Sequence, residues 1–79
     1  MNITVQYFAI LREQAGVGQE TVETDARSPQ ALYGELAQKH GFSLDGEVLK
    51  VALNSEFSSM SEPLKDGDTI VFIPPVAGG

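Results

Sequence analysis

One segment of this chain carries a complete set of helix signals, and its position limits what the flanking segments can build. Ser28 is a favoured N-cap, Pro29 stands at the first helical position where a missing N–H costs nothing, and Gly41 is a natural left-handed stop. Between them Leu32, Leu36, Ala37 and His40 recur at helical spacing. The segments on either side read as strands. Residues 2–9 alternate, with Ile3, Val5 and Tyr7 on one face and Asn2, Thr4, Gln6 and Phe8 on the other, so Phe8 falls on the face its neighbours mark as solvated. Residues 9–15 are weakly helical or irregular, and Gly16 and Gly18 supply the turn into a second strand over 19–24, whose only aliphatic is Val22.

Beyond the helix, residues 42–47 read as a connection to an apolar run, Val48, Leu49, Val51, Ala52 and Leu53, which has the composition of an interior strand. Residues 54–62 are polar apart from Phe57 and Met60, and the turn chemistry of residues 63–68 leads into Thr69-Ile70-Val71-Phe72-Ile73. That strand must stop at Pro74, because neither Pro74 nor Pro75 can donate to a sheet ladder. The order β, β, α, β, β, with one helix long enough to cross a mixed sheet, predicts an α+β fold, the ubiquitin-like β-grasp roll. The expected division is a β-grasp domain over residues 1–73 and an extended tail over 74–79. Its expected core is Ile3, Val5, Leu32, Leu36, Val51, Leu53, Leu64, Ile70 and Phe72. At 79 residues and 42% hydrophobic content the chain has room for one such core.

Composition removes several function classes. With no cysteine and one histidine there is no disulfide, no thiolate zinc site and no Cys nucleophile. His40, in the last turn of the helix, reads as a complement to the helix dipole or a cap on its carbonyls. The eleven carboxylates are scattered without metal or acid–base spacing, and Asp66-Gly67-Asp68 reads as a turn rather than half a calcium loop. A net charge of −6 has the wrong sign for nucleic acid or an anionic membrane and suits a basic patch on a protein partner. With no signal-peptide pattern and no apolar run long enough to span a bilayer, the expected location is cytoplasmic.

The end of the sequence is harder to account for by folding. Pro74-Pro75-Val76-Ala77-Gly78-Gly79, if extended, reaches on the order of 20 Å from the last strand. The prolines stiffen its exit, and the glycines strip the tip of side chains, so it fits a channel too narrow for ordinary residues. What such a tip offers is the α-carboxylate of Gly79, ionised at neutral pH with a pKa of about 3.3–3.7 and a poor electrophile. Activation must come from outside. Adenylation by ATP makes a mixed anhydride, and a sulfur nucleophile attacking it leaves a thiocarboxylate.

The opening Val5-Gln6-Tyr7-Phe8-Ala9 with Leu11-Arg12-Glu13, the turn Leu64-Lys65-Asp66-Gly67-Asp68 and the ending Val71 to Gly79 closely resemble the small subunit of molybdopterin synthase, over essentially the whole chain. The resemblance implies that Gly79 is adenylated by an E1-like enzyme that consumes ATP, then converted to a thiocarboxylate with sulfur from a sulfurtransferase. Gly78 is its narrow neighbour. The tail, including Pro74, Pro75, Val76 and Ala77, then enters the large catalytic subunit, in an assembly of two small and two large subunits. Sulfur passes to cyclic pyranopterin monophosphate to build the molybdopterin dithiolene. The small subunit is thereby expected to be a non-catalytic sulfur donor with no permanently bound cofactor or metal. The resemblance also implies an apolar docking patch, for which Phe8, Phe57 and Ile73 are the candidates.

Three other readings stay open at this level. A thiamine-type sulfur carrier has the same fold and ends in Gly-Gly, but usually without the Pro-Pro. A ubiquitin-like modifier carries its terminal glycine into an isopeptide bond through the same adenylate. A pure interaction module has an inert tail, and its role survives loss of Gly78 and Gly79.

Overall fold

The computed structural model describes residues 1–75; Val76, Ala77, Gly78 and Gly79, on which part of the tail reading falls, lie outside the described residues. In chain order the elements are β1 (Asn2–Tyr7), α1 (Ile10–Ala15), β2 (Gln19–Glu23), α2 (Pro29–His40), a short 3-10 turn (Gly46–Val48), β3 (Lys50–Leu53), β4 (Glu56–Ser58) and β5 (Thr69–Ile73). The strands form one mixed sheet in the order β2-β1-β5-β3-β4. Parallel pairing of β1 with β5 puts the first and last strands side by side in its middle, and the other pairings are antiparallel.

The terminal signals of α2 work as the sequence implies. Ser28 Oγ accepts a hydrogen bond from the Ala31 amide at 3.2 Å, and Gly41 ends the helix at φ 72° with its amide bonded to the Ala37 carbonyl. Pro29, Leu32, Tyr33 and Leu36 are the buried residues of α2, packed on the inward face of the sheet. That face is made by alternation: Ile3, Val5 and Tyr7 of β1, Val51 of β3, and Ile70 and Phe72 of β5 all point to the helix. Of the expected core only Leu53 is not fully buried, because it closes the β3–β4 hairpin at the sheet edge opposite exposed Glu56. Tyr7, Leu11, Ala26, Tyr33 and Leu49 complete the buried cluster.

Two elements go beyond the sequence reading. Residues 10–15 form a true helix, ended by Gly16 at φ 79°. The segment after β3 turns through Asn54 (φ 50°) and Ser55 (φ 75°), the geometry of a two-residue hairpin, and returns as β4. Asn54 holds that turn against the start of β5: its Nδ2 donates to Asp68 Oδ1 at 2.9 Å and its Oδ1 accepts from the Thr69 amide at 3.0 Å.

Candidate docking face and tail exit

The helix covers one face of the sheet and leaves the other open. Register sorts that open face into two halves. Toward β2 it is polar: Thr4 pairs with Thr21 and Thr69, and Gln6 with Gln19, whose side chains bond at 3.3 Å. Toward β4 it is apolar. Val71, Ala52 and Phe57 lie in one cross-strand row, with Ile73 in register with Lys50 beside it. Phe57 is 79% exposed, Val71, Ala52 and Ile73 are half-buried, and Phe8 is 51% exposed.

Phe8 reaches this face because the chain turns sharply behind it. β1 ends at Tyr7, paired with Phe72, and Phe8 follows at the end of the sheet from which β5 leaves through Ile73. The Phe8 carbonyl accepts from the Leu11 amide at 3.1 Å, closing a turn that forces Ala9 to φ 53°, ψ −127°. That conformation is native to glycine and costs an alanine on the order of 1–3 kcal/mol. Phe8, Ile73 and Phe57 thus share one face by strand parity; β1 and β4 are three strand spacings apart, roughly 14 Å, and Phe57 lies in the row of Gln6, two residues short of Phe8 along β1. At the exit Pro74 is buried and Pro75 exposed. Proline at 74 ends the ladder and fixes its own φ, so the direction in which the chain leaves the sheet is set by packing.

A second constellation, absent from the sequence reading, lies on the opposite side of the sheet. Glu20 sits in β2 opposite Val5, an inward position, under the C-terminal turn of α2. Its Oε2 accepts from the Tyr7 hydroxyl at 2.5 Å and meets His40 Nε2 at 2.6 Å, while its Oε1 accepts from Lys39 Nζ at 2.9 Å. Burial pushes the Glu20 carboxyl up, but the hydrogen bonds from Tyr7, Lys39 and His40 and the Lys39 charge outweigh it and hold the group at about 2, against an ordinary 4.5. Burial, then the bond to Glu20 and its charge, pushes the Tyr7 phenol far above its usual range. His40 therefore does more than face the helix dipole: its Nε2 donates to a carboxylate that is ionised at neutral pH, and its ring packs against Tyr7 and Phe42. The sequence signal was present but faint, a carboxylate at an inward parity position in a strand otherwise marked only by Val22.

Among the described residues no three His, Cys, Asp or Glu side chains gather as a metal site, and no helix is long and apolar enough to cross a membrane. The folded body presents a half-apolar sheet face beside the end of β5.

Known proteins resemble the chain over nearly its whole length. The ThiS family model matches residues 5–79, nearly the whole chain. The chain belongs to the ThiS family. Among ThiS-family relatives, the chain is 41% identical to the molybdopterin synthase sulfur carrier subunit of Chlamydomonas reinhardtii, across 100% of both chains. A chain of the protein–protein complex of subunits 1 and 2 of the molybdopterin-converting factor from Helicobacter pylori gives a TM-score of 0.68 at 31% identity, over 100% of both chains. Small archaeal modifier protein 1 of Haloferax volcanii superposes with a TM-score of 0.78 at 26% identity, covering 95% of this chain and 98% of that one. With such neighbours the mixed five-stranded sheet on one main helix is a ubiquitin-like β-grasp fold.

Proposed function

We propose that this ThiS-family chain is the sulfur-carrier subunit of a molybdopterin synthase. The folded body docks through the apolar half of its open sheet face, Phe8, Ile73 and Phe57, onto a large catalytic subunit, and the segment from Pro74 delivers Gly79 to it. Gly79 is activated as an acyl adenylate by an E1-like enzyme using ATP, with pyrophosphate leaving. Sulfur from a sulfurtransferase replaces the adenylate and leaves a thiocarboxylate. That terminal sulfur is transferred to cyclic pyranopterin monophosphate, one atom toward the dithiolene per charged carrier, and water cleaves the acyl carbon–sulfur bond, returning Gly79 as a carboxylate. Pro74, Pro75, Val76, Ala77 and Gly78 form the approach, narrowing to a side-chain-free tip. Side chains of the large subunit perform the catalysis, and the working assembly holds two small and two large subunits.

The observation that carries this reading is the full-length similarity, at 41% identity, to a sulfur carrier subunit. The placement of a docking face beside the β5 exit gives it a physical basis. The test is intact-mass measurement of the chain made with its activating enzyme and sulfurtransferase. The expected product has one terminal oxygen replaced by sulfur and loses that sulfur on incubation with the large subunit and the pyranopterin. Finding only carboxylate while adenylation demonstrably proceeds refutes the reading.

The likeness to small archaeal modifier protein 1 supports a second reading, in which the same adenylate is taken by a lysine amine of a target protein. An isopeptide-linked Gly79 on cellular proteins, in place of a thiocarboxylate, would establish it.

A further inference from the structure

The end of the sheet at β3 and β4 holds a feature that the docking reading does not use. A shallow groove of about 560 Å³ is lined by Leu49, Lys50, Val51, Phe57, Ser58 and Met60. Two of these residues also belong to the open sheet face: Phe57 continues the row of Ala52 and Val71, and Lys50 stands in register with Ile73. The groove is therefore continuous with the candidate docking surface and flanks the strand from which the tail leaves.

Its charge runs against that of the molecule. The chain carries −6, yet the apolar half of the open face holds no carboxylate, and its single charge is the ammonium of Lys50. Among the described residues the ion pairs all converge on Glu20, and Lys50 is in none of them. A partner surface that covers Ile73 also covers its neighbour Lys50. Removing an unpaired ammonium from water opposes binding, so a partner that binds well there must supply an acceptor, and a carboxylate supplies the strongest.

We propose that this groove is a specificity subsite for the large subunit, taking an apolar side chain against Leu49, Phe57 and Met60 while Lys50 pairs with an adjacent carboxylate of the same partner. The proposal rests on the docking reading above. It inverts what net charge alone implies: the recognition contact is acidic on the partner side, while any basic surface of the partner meets the chain elsewhere.

The experiment is calorimetric titration of the full chain into its large subunit, at low and at moderate salt, with Lys50→Arg, Lys50→Met, Lys50→Glu, Phe57→Ala and Phe8→Ala. Lys50 and Phe57 are both exposed, so the variants keep the fold, which their unfolding curves check. Lys50→Glu is expected to weaken binding about tenfold or more and Lys50→Met about threefold, with Lys50→Arg near wild type and the Lys50→Met deficit shrinking as salt rises. Unchanged affinity for Lys50→Glu, alongside a clear loss for Phe57→Ala, overturns the subsite and leaves docking intact. Tighter binding by Lys50→Glu also overturns it, since the partner then presents a basic surface at the groove. If Phe57→Ala, Phe8→Ala and Lys50→Glu all bind like wild type, the docking reading fails and the subsite with it. Self-association of the free chain that Lys50→Glu abolishes assigns the groove to a second copy and overturns the proposal.

Discussion

Among the described residues Glu20 is the carboxylate displaced far from its ordinary range, and Glu20→Gln isolates it. The groups facing Glu20 are Tyr7 from β1 and Lys39 and His40 from the end of α2, so the carboxylate ties the β1–β2 hairpin to the helix terminus. Its folded-state value of about 2 lies below the ordinary 4.5, so the unfolded chain binds the extra proton between those values and stability rises with pH through that window. The contribution is complete above the upper value and is lost as pH falls toward the lower one. Taken at full weight, the shift corresponds to about 3 kcal/mol. Lys39 is 55% exposed, however, and water screens its half of the cluster, which brings the expected contribution to about 1–2 kcal/mol. Glutamine keeps an oxygen acceptor for the tyrosine but removes the charge. Urea unfolding of wild type and Glu20→Gln between neutral pH and about pH 2.5 should show the gap at its largest at neutral pH and more than half closed by about pH 3. A gap that stays constant across that range refutes the assignment of a depressed, hydrogen-bonded carboxylate.

Other consequences are simpler to state. Phe57→Ala should leave unfolding within about 0.5 kcal/mol of wild type, because the ring is 79% exposed, yet weaken large-subunit binding by at least about 1 kcal/mol. A stability loss without an affinity loss would make Phe57 structural. Ala9→Gly should stabilise the chain by about 1 kcal/mol, the relieved positive-φ strain exceeding the entropy cost of glycine, and a lowered melting temperature contradicts the turn described for Phe8–Leu11. Removing Gly79 should abolish molybdopterin formation in a reconstituted assay and leave the unfolding transition in place, because the last strand ends at Ile73.

The parts of the fold legible in the sequence are those whose signals are local. Helix α2 announces both its ends, and β1 and β5 alternate over enough residues to fix which face is buried. β4 was invisible for the opposite reason. It is three residues long, and its pairing depends on a turn with two positive-φ residues, of which Asn54 is a recognised signal and Ser55 is not. Tyr33 and Leu49 lie outside the expected core although both are in phase with it, Tyr33 with Pro29, Leu32 and Leu36 at helical spacing and Leu49 with Val51 at strand spacing; the hydroxyl of Tyr33, bonded to the Leu44 carbonyl, masks it as a core residue, and Leu49 precedes the ladder that starts at Lys50. Phe8, Phe57 and Ile73 are candidates together through the family resemblance, with strand parity marking Phe8 as solvated; the register of β4 then sets Phe57 on the open face, in the row of Ala52 and Val71. The Glu20 cluster joins residues twenty positions apart, and only the closure of α2 over β2 brings them together.

The two constellations meet at the end of β1, and their adjacency has a mechanical consequence. Consecutive residues of a strand point to opposite faces, so Tyr7 is held from within by Glu20 while Phe8 is delivered to the open face beside β5. The strained turn at Ala9 then takes the chain away, leaving the Phe8 ring exposed rather than covered by α1. A side chain presented by a strand that is pinned on its inner face loses little freedom when a partner covers it, and preorganisation of this kind improves affinity without adding contact area. In the proposed function the folded body supplies rigid recognition, and the reactive group is Gly79, beyond a proline pair whose first member is buried. On that proposal a sulfur carrier needs no cysteine: a side-chain thiol would be fixed to the rigid part, whereas sulfur on the Gly79 carbonyl would sit at a tip of two glycines.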